Sequence, residues 1–280
     1  MDKAPTIFHD AKHNAQFIRD GYVILDLVDT DHIDRLITLF EANQQEHTSG
    51  FSATILSPNL TYREAIHQAI APLLEKALAA HIHEYRQVCC GFTAKQPSAN
   101  ESAMPLHQDI TMVDDQSARP GISLWLPLVD VDEMNGCLQV VTGSHILNCQ
   151  PRAPGTPFPA RNLEAEIRAD YLRDLPMRKG QGLIMAHTLF HASGPNCGAV
   201  VRPVATSVLA PNERSLVYYH RVRPNDASDD VLLQAYEVDD NFLRQHRLGL
   251  QPADGVFLQA LPEYVESITL QSLQLGHSNE

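Results

Sequence analysis

Two rhythms divide the chain. Through the first 87 residues apolar positions recur at helical spacing, and from 88 to 210 they come in short runs broken by Pro, Gly and Asn. Phe17 to Leu25 reads as a helix end, a stop at Gly21 and a strand. Ile33, Leu36, Ile37 and Phe40 fall at i, i+3, i+4 and i+7 behind Asp31 as N-cap, which is one face of an amphipathic helix. Ile66, Ile70, Leu73, Leu74 and Leu78 form a second such face. Pro72 has no N–H to give, so it is expected to kink that helix or start a new one. Both faces are expected to cover a core.

The middle of the chain predicts strands near 88–95, 105–112, 121–129, 137–142, 175–178, 182–192 and 203–210. Ile122 to Val129, holding Trp125, is almost unbroken in apolar character, as in a strand covered on both faces. Asn135-Gly136 signals a tight turn before Cys137 to Val141. So many short strands predict a sandwich or barrel, of which the jelly roll is the common enzyme version. Residues 150–180 interrupt the pattern with Pro151, Pro154, Pro157 and Pro159, then a helix expected over 163–172, and such insertions often form lids or binding loops. After Tyr219 the chain is polar and weakly periodic, with helices expected over 231–236 and 262–273. With no repeat and no clean linker, residues 1–280 read as one domain. It comprises a helical support region (1–87), a jelly-roll core (88–210, with the 150–180 insertion) and a C-terminal cover (211–280).

Composition narrows the function classes. Apolar residues at 44% and charged residues at 20% are ordinary for a globular chain and exclude disorder. Lys+Arg 21 against Asp+Glu 34 gives a formal net charge of -13, with no basic block to hold nucleic acid or an anionic membrane. There is no apolar run long enough to span a bilayer, and the N-terminus lacks the apolar core of a signal peptide. Five cysteines, odd in number and without zinc or disulfide spacing, fit a reducing compartment, so a cytoplasmic location is expected.

The 14 histidines raise the question of metal. His107-Gln108-Asp109 lies in an expected strand, where positions two apart share a face and an imidazole and a carboxylate point into one space. His191 is the best candidate for a third ligand, and His187 is its rival. On one strand the two share a face, so parity does not separate them. Two imidazoles and a carboxylate with open positions form the facial triad of non-haem Fe(II) oxygenases. Arg202 follows after one turn, where an antiparallel return brings its guanidinium over the same pocket. A buried Arg there needs an anion that suits its planar fork, and a dicarboxylate such as 2-oxoglutarate fits.

Several segments together resemble the phytanoyl-CoA dioxygenase (PhyH-like) family of Fe(II)/2-oxoglutarate-dependent oxygenases. They are Asp20-Gly21-Tyr22-Val23-Ile24, Lys95-Gln96-Pro97, His107-Gln108-Asp109, Trp125-Leu126-Pro127-Leu128, Asn135-Gly136-Cys137-Leu138, Thr142-Gly143-Ser144-His145, and His191 to Asn196 followed by Arg202, all within about residues 15–210. The resemblance implies a mainly β, double-stranded β-helix (jelly roll, cupin-like) with flanking helices. It also implies iron on His107, Asp109 and His191, and the C5 carboxylate of 2-oxoglutarate on Arg202. Trp125 would line the cosubstrate site, and Thr93, on the strand before His-x-Asp, would contribute a contact. Fe(II), 2-oxoglutarate and O2 are the cofactors implied, and hydroxylation is the family's usual outcome. Thr142 stands where the family often has Pro, away from the ligands. Halogenating relatives carry a small residue where this chain has Asp109.

His145 belongs to the turn motif and is read as structural, and His32, His67, His81 and His83 as background on helical stretches. Tyr218-Tyr219-His220-Arg221 either touches substrate or forms an exposed strand end. The expected partner is a small molecule, a polar metabolite or natural-product intermediate, since little positive charge is left for a polyanion such as an acyl-CoA. Desaturation or cyclisation by the same fold is the nearest alternative. A zinc hydrolase or lyase leaves Arg202 and Trp125 unexplained, and an intact triad argues against a non-catalytic cupin-like binding protein.

Overall fold

The computed structural model describes residues 6–48, 50–97, 101–114, 116, 119–223, 231–263, 268–269 and 271–273. Helix α1 (Ala11–Asp20) starts at Asp10, whose carboxylate accepts the N–H groups of Lys12 and His13 at 2.8 and 2.9 Å. It ends at Gly21, whose φ of 82° places it in the left-handed region. A side chain there would also meet the His145 ring at 2.6 Å. His145 thus packs behind the helix end as a structural residue. Strand β1 (Tyr22–Asp26) follows, then α2 (Thr30–Ala42). The cap of α2 is Asp29 rather than Asp31. Thr30 is already helical, and the Asp29 carboxylate reaches the N–H of His32 at 3.0 Å. Helix α3 (Leu60–Ala79) runs through Pro72 as one element. Both Pro72 and Gln68, the residue whose carbonyl loses its partner, are exposed, so the missing bond faces solvent and the helix does not break.

Two antiparallel sheets form the double-stranded β-helix. The larger contains β1, β2 (Phe51–Ala53), β3 (Tyr85–Lys95), β5 (Ile122–Pro127), β8 (Gln181–Ala186) and β10 (Arg202–Pro211), in the order β1-β8-β5-β10-β3-β2. The smaller contains β4 (Met104–His107), β6 (Leu138–Val141), β7 (Leu172–Leu175) and β9 (His191–Ser193), in the order β4-β9-β6-β7. Ile122, Leu124 and Leu126 face outward and join Ile33, Leu36, Ile70 and Leu74 of the helices in one core, while Trp125 faces inward to Leu183 and Val204. This two-sided burial accounts for the unbroken apolar run. Each fully buried aliphatic side chain contributes about 1.5–3 kcal/mol.

The structure corrects several expected elements. The strand expected over 182–192 is two strands, β8 and β9, on different sheets. The strand expected over 175–178 is β7, earlier at Leu172–Leu175. The helix expected over 163–172 is a series of single turns from Arg161 to Tyr171, cut short because Leu172 already pairs with Val141. The helix expected over 231–236 is β12 (Leu232–Val238). It joins β11 (Leu216–Val222) and β13 (Val256–Pro262) in a three-stranded antiparallel sheet. Leu233 and Ala235 alternate inward against Val217 and Tyr219, a period of two that seven residues barely display. Of the helix expected over 262–273, Pro262 ends β13 and 271–273 form one helical turn, while 264–267 and 270 lie outside the described residues.

Candidate active site

Strands β4 and β9 pair with His107 opposite His191, and the two rings lie 4.1 Å apart between centroids. Strand β4 ends at His107, so strand parity alone does not aim Asp109. Its backbone N–H instead bonds to the carbonyl of His187 at 3.0 Å, and its Oδ2 accepts the Ser123 hydroxyl at 2.9 Å. One potential ligand atom from each of His107, Asp109 and His191 lies within 4.8 Å of the others, and His191 Nε2 is 3.7 Å from Asp109 Oδ1. Among the described residues this is the one such grouping of three His, Cys, Asp or Glu side chains. Nδ1 of His107 sits 2.8 Å from the Pro105 carbonyl, and Nδ1 of His191 sits 2.9 Å from the Leu189 carbonyl. In both rings Nδ1–H donates to the backbone, which leaves the Nε2 lone pair available to a metal.

His187 is not in the group. The chain leaves β8 at Ala186, closes a turn with Leu189 N–H on the Ala186 carbonyl, and enters β9 at His191. His187 and His191 therefore never share one strand. The His187 ring is buried, its Nδ1 has no partner among the described residues, and a methyl on Gly121 would stand 2.4 Å from that atom. Glycine at 121 is what admits the ring.

Electrostatics prepare the group for a cation. Burial, with the charge of His191 adding to it, pushes His107 down to about 4, so it is neutral at physiological pH. Burial alone would raise the Asp109 carboxyl, but the His191, His187 and His107 imidazoles and the Ser123 hydroxyl outweigh it and hold the group below its usual range. A neutral imidazole and an ionised carboxylate are the forms that bind metal.

Arg202 opens β10 opposite Lys95 of β3. It is 2% exposed, its Nε and Nη1 have no partner among the described residues, and its guanidinium carbon lies 5.4 Å from the Trp125 ring centre. Burial pushes Arg202 down to about 9. Lys95 is fully buried as well, donating to the carbonyls of Ser193 and Gly194. Burial and the Arg202 charge push it down to about 7. Arg202, a buried cation with unused donors, leaves this part of the protein short of an anion, and Lys95 beside it adds positive charge when protonated.

These groups share one cavity of about 500 Å³. His107, Asp109, His191, His187, Arg202, Trp125 and Thr93 all line it. Every site residue expected from sequence therefore reaches the same space. The 150–180 insertion reaches it through Pro154. The Tyr218–Arg221 cluster does not line it. Tyr218 is buried against Phe242, its hydroxyl accepts the Gly249 N–H at 2.8 Å, and Arg221 pairs with Glu263 at 2.7 Å. Among the background histidines, His67 accepts the Cys90 N–H at 3.1 Å and His32 bonds its own cap, Asp29, at 2.6 Å. Sequence reasoning missed Ser123, Gly121 and the role of Lys95. For Ser123 a signal existed, since it is a hydroxyl two positions from Trp125 inside the apolar run and so on the same inward face.

Comparison with known proteins supports this architecture. A phytanoyl-CoA dioxygenase domain-containing protein 1 from Danio rerio is 27% identical over 128 residues, and the match covers 44% of this chain and 44% of that protein's length. The epimerase SnoN, solved with Fe3+, alpha ketoglutarate and nogalamycin RO, superposes with a TM-score of 0.54 at 20% identity, over 89% of this chain and 94% of SnoN. The alpha ketoglutarate dependent carbocyclase SnoK, from nogalamycin biosynthesis, superposes with a TM-score of 0.53 at 17% identity, over 81% and 92% of the two chains. At such identities these two structures share the fold. The family model Phytanoyl-CoA dioxygenase (PhyH) matches residues 17–204, from α1 into β10 and more than half of the sequence, so the chain belongs to that family.

Proposed function

We propose that this chain is a non-haem Fe(II)/2-oxoglutarate-dependent dioxygenase that hydroxylates a small molecule such as a natural-product intermediate. The carrying observation is the convergence of His107, Asp109 and His191 beside the unpartnered Arg202 in one buried cavity. Two imidazoles and a carboxylate suit Fe(II) with positions left open, and Arg202 suits the far carboxylate of a keto diacid. Fe(II) held by His107, Asp109 and His191, with 2-oxoglutarate on Arg202, would supply the oxidative chemistry in which O2 and the keto acid give succinate and CO2 and one oxygen atom goes to a substrate C–H bond.

The protein's part is positional. Backbone carbonyls of Pro105 and Leu189 fix the two ring orientations, and Ser123 fixes the Asp109 carboxylate. Trp125 packs against the Arg202 guanidinium and Thr93 lines the wall nearby, so both border the cosubstrate. His191 is buried while His107 and Asp109 are half-buried toward the cavity, so bound substrate would complete the exclusion of water. The reading treats the chain as one catalytic unit, because the cavity draws on Phe51, the jelly roll and Leu243 alike. Five free thiols fit a cytoplasmic location.

SnoK is a carbocyclase, which favours ring closure as the alternative outcome, with desaturation by the same chemistry beside it, and the epimerase SnoN shows that the fold also hosts a redox-neutral result. A substrate panel read by succinate release and product mass separates them, with a gain of one oxygen expected. His107→Ala, Asp109→Ala and His191→Ala are each expected to abolish succinate formation and metal binding, while His187→Gln keeps the metal. Full turnover by any of the three alanine variants refutes the ligand assignment.

A further inference from the structure

The cavity has two chemically different ends, and the second one defines a substrate class. Along β10, Arg202, Thr206 and Val208 line the cavity, and Trp125 and Ser123 of β5 stand opposite Thr206 and Val208. From Arg202 to Val208 the strand advances about 20 Å at 3.3 Å per residue. Arg202, Trp125 and Thr93 occupy one end. Ser123 holds Asp109, so the metal-binding triad lies toward Val208. At that end Ile55, Met112, Leu243 and Leu248 pack with Val208 and line the cavity, and Leu56 lines it as well.

Among the described lining residues, the ionisable side chains are His107, Asp109, His187, His191 and Arg202, all at the triad or the Arg202 end. At the far end none of the described lining residues is charged. Asp109 is the single carboxylate among the described lining residues and belongs to the triad, so a cationic substrate finds no counter-charge among them. Arg202 is taken by the cosubstrate, so neither does an anionic one. Leu56 at the rim is 60% exposed, a large apolar side chain left facing the opening. A cavity of about 500 Å³ is of the size that encloses an organic ligand.

We propose that the substrate presents an uncharged, apolar body, a carbocycle or hydrocarbon-rich chain, to the wall formed by Ile55, Leu56, Met112, Leu243 and Leu248. This replaces the expectation of a small polar metabolite. The inference rests on the Fe(II)/2-oxoglutarate reading for which end the cosubstrate takes. The Leu243–Leu248 segment lies beyond residue 204, so this half of the wall is outside the family match. It is pinned in place. Arg244 donates to the Val88 carbonyl at 2.6 Å and to Glu64 at 2.8 Å, and Tyr218 holds Gly249.

The test uses the full chain with Ni(II) and 2-oxoglutarate, which do not turn over. Two fluorescent probes share one ring body. N-phenyl-1-naphthylamine is neutral, and 8-anilino-1-naphthalenesulfonate adds a sulfonate. The neutral probe is expected to bind saturably and at least tenfold more tightly than the sulfonate. Leu248→Gln should weaken it about tenfold, the scale of losing one good apolar contact in a pocket. Should that variant fold poorly, Leu56→Ser, at an exposed position, carries the test with a several-fold loss. No binding of the neutral probe, equal binding of the two, or probe affinity unmoved in both variants overturns the proposal. Trp125 is the chain's one tryptophan and stacks near Arg202, so quenching of its emission by 2-oxoglutarate, titrated without probe, scores the cosubstrate reading separately.

Discussion

Replacing Arg202 with Met should do two opposite things at once: strengthen the ligand-free protein and remove its hold on 2-oxoglutarate. The guanidinium is 2% exposed, two of its nitrogens lack acceptors among the described residues, and buried Lys95 stands across the strand pair. Exchanging an unpaired buried charge for an apolar side chain of similar length is typically neutral or stabilising by about 1–4 kcal/mol. Lost stacking on Trp125 opposes this by about 0.5–2 kcal/mol. The net is a Tm equal to or a few °C above wild type, at about 2–4 °C per kcal/mol for a chain approaching this length.

With the dicarboxylate bound the sign reverses. Removing one partner of a buried, hydrogen-bonded ion pair costs about 3–5 kcal/mol, which is two to four orders of magnitude in Kd. Thermal unfolding with Ni(II), with and without 2-oxoglutarate, reads both effects. A ligand at one hundred times its Kd stabilises wild type by about 2.7 kcal/mol, and that shift should vanish in the variant. Arg202→Lys keeps the charge but loses the planar fork, so it should fall between the two. A Met variant that melts well below wild type and keeps the full ligand shift would show that Arg202 is a structural cation and not the carboxylate's partner.

Gly121→Ala places a methyl 2.4 Å from His187 Nδ1, and the forced ring movement should cost about 1–3 kcal/mol. Since the His187 carbonyl holds the Asp109 N–H, metal affinity should fall too, whereas Gly194→Ala, facing open space, should be near neutral in Tm and metal titration. The pH dependence of the ligand-free protein follows from Lys95, which drops from 10.5 unfolded to about 7 folded. The unfolded state binds the extra proton between those values, so stability measured by urea midpoint should rise from pH 7 toward 9. Above that, burial holds the Cys89, Cys90 and Cys137 thiols up to about 11, 12 and 12, so the folded chain keeps protons the unfolded chain loses and the slope reverses. A bound dicarboxylate favours protonated Lys95, so its stabilisation should be larger at pH 7 than at pH 10. A flat ligand-free profile would mean that Lys95 is not held in an unfavourable charged state.

The triad was legible because its signal is local: His107 and Asp109 lie two residues apart, and His191 closes an apolar run. The reason it works was less legible. Parity along a strand suggested that Asp109 aims with His107 and that His187 competes with His191, yet β4 stops at His107 and the chain changes sheets between Ala186 and His191. Asp109 is aimed by a backbone bond across that turn and His187 is excluded by it, both long-range facts that no periodicity encodes. The helix called for by Ile66 to Leu78 was clear because its face repeats over five apolar positions. Strand β12 was missed because seven residues with Leu232, Leu233 and Tyr236 satisfy either period, and tertiary pairing to β11 decides.

Under the proposed function, substrate choice and oxidative chemistry lie along one strand. The Arg202 end of β10 would carry the cosubstrate contacts, and the family match stops two residues past it, at Val204. Beyond Val208 the cavity wall passes to a segment that Arg244 and Tyr218 tie to α3, β3 and β11. A wall so tied does not have to fold over the substrate to select it. Its selectivity comes from shape and from the absence of polar partners, because a charged group pushed against Leu243 and Met112 would lose hydration with nothing in return. The same apolar wall would also limit water at the face of the triad where substrate carbon approaches in the proposed reaction. On this account the Leu243–Leu248 segment can be exchanged between relatives to change which molecule enters, while His107, Asp109, His191 and Arg202 continue to set what is done to it.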